Sequence, residues 1–320
     1  MASPIFISNK PVSLTSDYLL IGAKYYGNSL IGISKGIKTL HPDHMKKWIP
    51  IVLLSCVTYT TIDILKKCVS KLNCRGCEYF ECVLDPNMIG ICIIQFCISN
   101  FETSFWQALN ELDKRYYFSK GTIDSEGIGR QRTRILQFQL RVMISQLVLA
   151  TVVAWLPGFA AHVIISLLTF SQLSHRFGTD ISLFVCSILL FFPSIGKIKF
   201  LSHFYSFNLL IRASLAPYFN KTMLQKSERH TWIQSRSGVL YGYMIPFYIL
   251  IITTSYLSMI VFYISHISGL PELIRDITDP FPDPYLPGTL QMSIWNSKQS
   301  VWSKNKFKGD ETESETTDSE

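Results

Sequence analysis

The chain has 320 residues, of which 48% are hydrophobic and only 17% are charged. A soluble globular domain carries about 25% charged residues, so this composition argues against an ordinary soluble protein and for an all-α, polytopic integral membrane protein. The formal net charge of +7 would also suit a nucleic-acid partner, but such a partner would not explain the hydrophobic content, and none is expected.

Basic residues cluster beside the apolar segments, as they do in the short cytosolic loops of membrane proteins. They are Lys46, Lys47, Lys66, Lys67, Lys71, Arg75, Arg130, Arg132, Arg134, Arg141, Lys221, Lys226, Arg229 and Arg236. The opening MASPIFISNKPVS lacks the basic start and apolar core of a secretory signal, so insertion is expected to use internal segments. The eight cysteines lie mainly in or beside apolar segments, which favours reduced thiols.

The first part of the chain, residues 1–47, is polar, and SLIGISKGIKTL at 29–40 could form a short helix on the membrane surface. The first candidate span covers 48–65, from the interface residue Trp48. Residues 88–98 are too few to cross a bilayer and predict a re-entrant piece.

A helical pattern follows, with apolar side chains on one face at Phe101, Phe105, Leu109, Leu112 and Tyr116. Such a helix could lie in the membrane interface or pack on protein, and the pattern leaves both open. Ser99 and Glu102 could form a capping box at its start. Residues 119–134 are interpreted as a polar loop.

The largest apolar block covers 135–170 and is interrupted at Pro157-Gly158. Proline removes a backbone donor and glycine permits a reversal, so the block is either one kinked span or two short helices in a hairpin. The hairpin is slightly favoured.

A short apolar run at 181–192 ends at PSIGKIK, and the chain then re-enters an apolar stretch at 200–216. Lys197 and Lys199 indicate that the turn between them reaches water or head groups.

The last span is expected at 237–266, where Pro246 would break it if it were to suit a lipid monolayer. One membrane domain at 48–266 is therefore predicted. From residue 267 a Pro-rich and then acidic tail is expected to be disordered.

Three stretches resemble motifs of a known family. They are GISKGIKTLHPDHMKKWIPIVLL at 32–54, FFPSIGKIKFLSHFYSFNLLIRASLAPYF at 191–219 and SERHTWIQSRSGVLYGYMIPF at 227–247. Over 30–266 the chain is similar to the fungal lipid-droplet sporulation and outer-spore-wall family, distantly related to the bacterial CysZ sulfate permeases. Lys197 and Lys199 depart from the more apolar residues that the family pattern would have.

The resemblance implies a multi-helix membrane protein of lipid droplets, the endoplasmic reticulum or the prospore membrane and spore wall. It implies a role in building the outer spore wall without enzymatic activity. The expected partners are membrane lipids, the neutral-lipid droplet surface and homologous membrane proteins.

The sequence predicts no catalytic residue, no cofactor and no metal. Four cysteines, Cys68, Cys74, Cys77 and Cys82, could hold zinc, but only one CxxC pair is present, so free thiols or palmitoylation at Cys68 are preferred.

His175 and Asp180 have the spacing of an acyltransferase base and its orienting acid, but no second block accompanies them, and they are interpreted as loop residues. Asp63 is assigned to a snorkelling pair with the following lysines, and the Asn220 sequon is expected to be silent in a cytosolic loop. The rival function is a small-solute or anion transporter, for which Ser202, His203, Ser206 and Arg212 are the candidate residues.

Overall fold

The structure is a computed structural model that describes residues 15–39, 42–71, 89–91, 101–114, 125–156, 158–222, 224, 226–254 and 257–278. Within these ranges all the regular secondary structure is helical, which confirms the all-α class. In chain order the helices are α1 (Ser16–Thr39), α2 (Pro42–Lys71), α3 (Phe101–Leu112), α4 (Ser125–Trp155), α5 (Gly158–Phe177), α6 (Thr179–Leu190), α7 (Ser194–Thr222), α8 (Lys226–Ser235), α9 (Ser237–Thr254), α10 (Ser258–Ile267) and α11 (Gly269–Ile277).

Helices α1 and α9 pack closely because glycine lies on both sides of their crossing. A Cβ at Gly22 would collide with the backbone of α9, and one at Gly242 would collide with the Leu19 carbonyl oxygen. Small residues allow this approach of two backbones, as between helices in membranes. The short surface helix expected at 29–40 is instead the end of a 24-residue helix that contributes to the core.

Helix α11 closes the core where the sequence predicted a disordered tail. Its buried residues include Leu270, Leu273, Ile274 and Ile277, which fall on one helical face. They pack against α1, α3 and α10. The prediction of a tail from residue 267 is therefore wrong for α11, and residues 279–320 lie outside the described part of the chain.

Helix α3 packs on protein, which decides between the two alternatives for this segment. Phe105, Trp106 and Leu109 are buried in the main core, against α7, α10 and α11. Leu112 is largely exposed at the end of the helix. The Phe101 side chain, Tyr116 and Ser99 lie outside the described residues.

Helix α4 begins inside the predicted polar loop, so the loop assignment at 119–134 is wrong from Ser125 onward. Its sequence there, SEGIGRQRTR, contains Arg and Gln, which are good helix formers despite their polarity. The chain leaves the helix after Trp155 and resumes with α5 at Gly158. The block at 135–170 thus forms two helices, and α4 is a long one of 31 residues.

A second, smaller core joins α4 and α5 to the start of α7. It consists of Val153, Ala161, Ile165 and Ile198. Helix α5 is followed by Gly178, whose φ of 84° is a left-handed conformation that glycine adopts without steric cost. Helix α6 follows at once and packs against α5.

The segment at 237–266 is divided after Thr254 and not at Pro246, the residue at which a break would suit a lipid monolayer. Helix α9 runs through Pro246 and ends at Thr254, and α10 begins at Ser258. Proline lacks the N–H that would bond the Gly242 carbonyl. The single span that the sequence predicted is therefore wrong, because two helices occupy that stretch.

Candidate functional site

Two helical segments of the described chain are long and apolar enough to cross a membrane, Ile49–Lys71 in α2 and Ser237–Thr254 in α9. Of the most apolar stretch of each, 61% is buried in α9 but only 28% in α2. A core helix of a soluble protein can be as long and as apolar as α9. Apolar side chains that face outward distinguish a membrane protein from a soluble one more clearly than helix length does.

Large apolar side chains face outward along α2 and along α4 to the start of α7. We call them the outer apolar surface: Val52, Leu53, Val57, Ile64, Leu65, Leu140, Ile144, Leu147, Val148, Val152, Trp155, Phe159, Val163, Leu167, Leu168, Ile181, Leu183, Phe184, Ile188, Leu190, Phe191 and Phe192. Trp155, Phe159 and Phe191 are 79%, 84% and 91% exposed. Scattered exposed apolar residues are ordinary in soluble proteins, but so many on neighbouring helices mark a surface that binds lipid or protein.

Hydrogen bonds between side chains join the helices beneath this surface. The hydroxyl groups of Tyr59 on α2 and Ser258 on α10 are 3.1 Å apart. Those of Tyr243 on α9 and Ser265 on α10 are 2.7 Å apart. Polar pairs of this kind hold helices together where apolar contact alone gives little selectivity.

The four residues proposed for transport all lie on α7 but differ in burial. Ser202 and Ser206 are buried on α7, and the neighbouring His203 lies 3.0 Å from the Tyr248 hydroxyl, measured from Nδ1. Arg212 is exposed and does not share their buried face.

Two further polar residues escaped the sequence analysis. Within the described chain, Oδ1 of Asn208 and Nε2 of Gln146 are buried without a hydrogen-bond partner. Both residues lie in apolar stretches, where a single polar side chain gives no signal of its own in the sequence.

A buried arginine lies at the start of α9. The Arg236 guanidinium is centred 4.5 Å from the Trp232 ring. Its Nε donates a hydrogen bond of 2.9 Å to the Ile277 carbonyl, and its Nη1 donates one of 3.0 Å to the Ser235 hydroxyl. Burial lowers the pKa of Arg236 to about 10, so the group stays charged at neutral pH.

Arg229 on α8 is likewise held by its own chain. Its Nε donates to the Leu224 carbonyl at 2.7 Å, and its guanidinium lies 5.8 Å from the Phe219 ring centre. Two residues of the predicted basic cluster, Arg229 and Arg236, thus hold α8 and α11 against the core. The assignment of Arg236 to lipid head groups is wrong, because this side chain is buried.

The cysteine cluster is only partly described. Cys68 is exposed on α2 and free, whereas Cys74, Cys77 and Cys82 lie outside the described residues. The described residues contain no group of three or more side chains that could hold a metal ion. Zinc binding by the four cysteines therefore stays an open alternative.

The other sequence candidates fall in different places. His175 lies on α5, with its side chain outside the described part, and Asp180 is exposed at the start of α6, where it accepts a hydrogen bond of 3.2 Å from Thr179. Asp63 is exposed on α2, one turn before Lys66 and Lys67.

The Asn220 sequon lies in a packed helix rather than in a loop. Its side-chain amide donates a hydrogen bond to the Glu102 carboxylate of α3, and Thr222 is fully buried. An oligosaccharide could not be accommodated there in the folded protein, which gives a second reason to expect a silent sequon.

The two lysines that follow Pro193, Lys197 and Lys199, differ in burial. Lys199 is exposed, but Lys197 is only 1% exposed, and its Nζ donates a hydrogen bond of 3.0 Å to the Ser166 hydroxyl on α5. The prediction that Lys197 reaches water or head groups is therefore wrong.

Comparisons of the chain with known protein families, with curated proteins and with solved structures find no match.

Proposed function

We propose that the chain is a non-enzymatic integral membrane protein of lipid droplets and the endoplasmic reticulum that acts in assembly of the outer fungal spore wall. The outer apolar surface is the observation that carries the membrane location. The resemblance of 32–54, 191–219 and 227–247 to the spore-wall family supports the compartment and the process.

Helix lengths support two kinds of lipid surroundings. The apolar segment of α2 has 23 residues, or about 35 Å, which is enough for a hydrocarbon core of about 30 Å. Helix α6 has 12 residues, or about 18 Å, and cannot cross. A droplet monolayer has no aqueous far side, so a short helix followed by a turn suits it better than a full span does.

The partners that follow from this proposal are lipids. Membrane phospholipids and the neutral-lipid droplet surface would cover the outer apolar surface, and homologous membrane proteins could share it. The prospore membrane is a further location that the proposal includes.

Imaging of a tagged copy against a neutral-lipid dye, in vegetative and sporulating cells, tests the location. A rim of signal around droplets is expected, with a reticular signal when droplets are few. A signal confined to the plasma membrane would contradict the proposal and favour transport.

A small-solute or anion transporter is the second candidate, supported by the buried polar side chains of α7. Proteoliposomes that take up anions only with the intact protein would favour it. His203→Ala should then abolish uptake, whereas Arg212→Ala should not, because Arg212 lies off the buried face. Equal loss in both variants would argue against a pathway along that face.

A further inference from the structure

Lys197 places a primary amine between three helices. It lies in the first turn of α7, and its Nζ reaches the Ser166 hydroxyl of α5 at 3.0 Å. Burial lowers the pKa of this amine, and the Cys186 thiol of α6 acts on that pKa in the opposite direction. Ser166 donates its own proton to the His162 carbonyl at 2.7 Å, so its lone pair is what the amine binds.

The charge of this amine is not balanced within the described residues. Lys197 is 1% exposed, and no carboxylate of the described chain pairs with it. A buried ammonium is costly unless an anion accompanies it. The amine also lies at the positive end of α7, where a cation is unfavourable and an anion is stabilised.

Side chains of the outer apolar surface lie next to the two residues that neighbour Lys197. Ser166 and Cys186 are both only partly buried. The exposed side chains of Val163 and Leu167 flank Ser166 on α5, and that of Leu183 lies one turn before Cys186 on α6. If the polar head group of an amphiphile lay next to Lys197, its acyl chain would thus lie against these apolar side chains.

We propose that Lys197 and Ser166 bind the oxyanion head group of a single-chain amphiphile, whose acyl chain lies on the apolar surface of α5 and α6. The ammonium supplies a charge-assisted hydrogen bond, and the Ser166 hydroxyl can turn from the His162 carbonyl to donate a second one. The inference rests on the proposed membrane location only for the route by which the amphiphile arrives.

Binding of radiolabelled oleate to the full-length protein in nonionic detergent tests the proposal. Lys197→Met should lower the affinity at least tenfold, because it removes a hydrogen bond to a charged group. Lys199→Met, a change of the exposed lysine two residues away, should leave it unchanged. Oleate should also raise the thermal midpoint of the intact protein and of Lys199→Met, but not that of Lys197→Met.

Two competitors identify the source of the anion. Oleyl alcohol has the chain without the charge, and inorganic phosphate has the charge without the chain, so both should compete poorly with oleate. Oleyl alcohol competing as well as oleate would overturn the role of Lys197. Phosphate competing as well as oleate would overturn the amphiphile in favour of a free anion.

A second variant keeps the test decisive if Lys197→Met does not fold. Ser166→Ala retains the amine and should lower the affinity for oleate several-fold, and unchanged binding by either folded variant would overturn the site. Release of the protein from membranes by alkaline wash, with oleate binding intact, would contradict the proposed function and leave the site standing.

Discussion

Single residues decide the closest contact in the molecule, the crossing of α1 and α9. Gly22→Ala would place a methyl group against the backbone of α9, which cannot yield as a flexible side chain would. We expect a loss of about 1–3 kcal/mol in the free energy of unfolding. Thermal unfolding in detergent would measure it.

Gly27 on the same helix is the matched control. A Cβ there meets no atom within 4 Å, so Gly27→Ala should stabilise the helix by up to about 1 kcal/mol through its better helix propensity. Similar midpoints for the two variants would contradict the close crossing.

Arg236 provides a second test at this scale. Lysine keeps the buried charge but loses the planar guanidinium that lies on Trp232 and donates to the Ile277 carbonyl. Arg236→Lys should therefore lower the free energy of unfolding by about 2 kcal/mol. The exposed Arg212→Lys should change it by no more than about 0.5 kcal/mol. A stable Arg236→Lys protein would show that the buried arginine acts by charge alone.

At the residue scale the sequence does not show whether a given side chain is buried or exposed. Lys197 and Lys199 look alike in PSIGKIK, yet one is buried and the other exposed. The difference depends on Ser166, which lies 31 positions away in the chain. The same holds for Gly22 and Gly242, because no local pattern reveals that two glycines meet.

At the scale of elements, α11 packs on the core in a stretch where the sequence predicts a disordered tail. Leu273 is fully buried, whereas its neighbour Glu272 is half-buried on the other side of the helix. Leu273→Asp should cost more than about 4 kcal/mol, because it buries a carboxylate without a partner. Glu272→Ala should lower the free energy of unfolding by less than about 1 kcal/mol. Size-exclusion chromatography after heating would distinguish the two variants. Glu272→Ala should still elute as a monodisperse peak, whereas Leu273→Asp should not.

Equal behaviour of these two variants would mean that α11 does not pack on the core. In that case residues from 267 onward would form a disordered tail, as the sequence predicts.

Strongly apolar or periodic segments were predictable, and polar ones were not. The helices α2, α3, α6 and α9 follow from long apolar runs or a clear helical face, and Pro157-Gly158 marks the end of α4. The start of α4 at Ser125 escaped prediction because a polar, arginine-rich stretch suits a loop and a helix equally. The prolines after residue 278 led to the prediction that the tail begins at residue 267, and the apolar face of α11 was therefore missed.

At the scale of the whole molecule, burial separates a core of helices from an apolar exterior. Helices α1, α7, α9 and α11 bury their apolar side chains against one another, but α2, α4, α5 and α6 present many of theirs outward. Water would not favour that distribution, whereas hydrocarbon would. The sequence predicts a membrane protein from its composition, and the fold shows which helices carry the outward apolar side chains that the proposed membrane would cover.

Extraction of cell membranes with alkaline carbonate tests the membrane location most directly. We expect the full-length protein to stay in the pellet, beside a known integral protein, and to be released only by detergent. A peripheral protein of the same membranes should appear in the supernatant as the control. Recovery of the intact chain in the supernatant without detergent would contradict the membrane location.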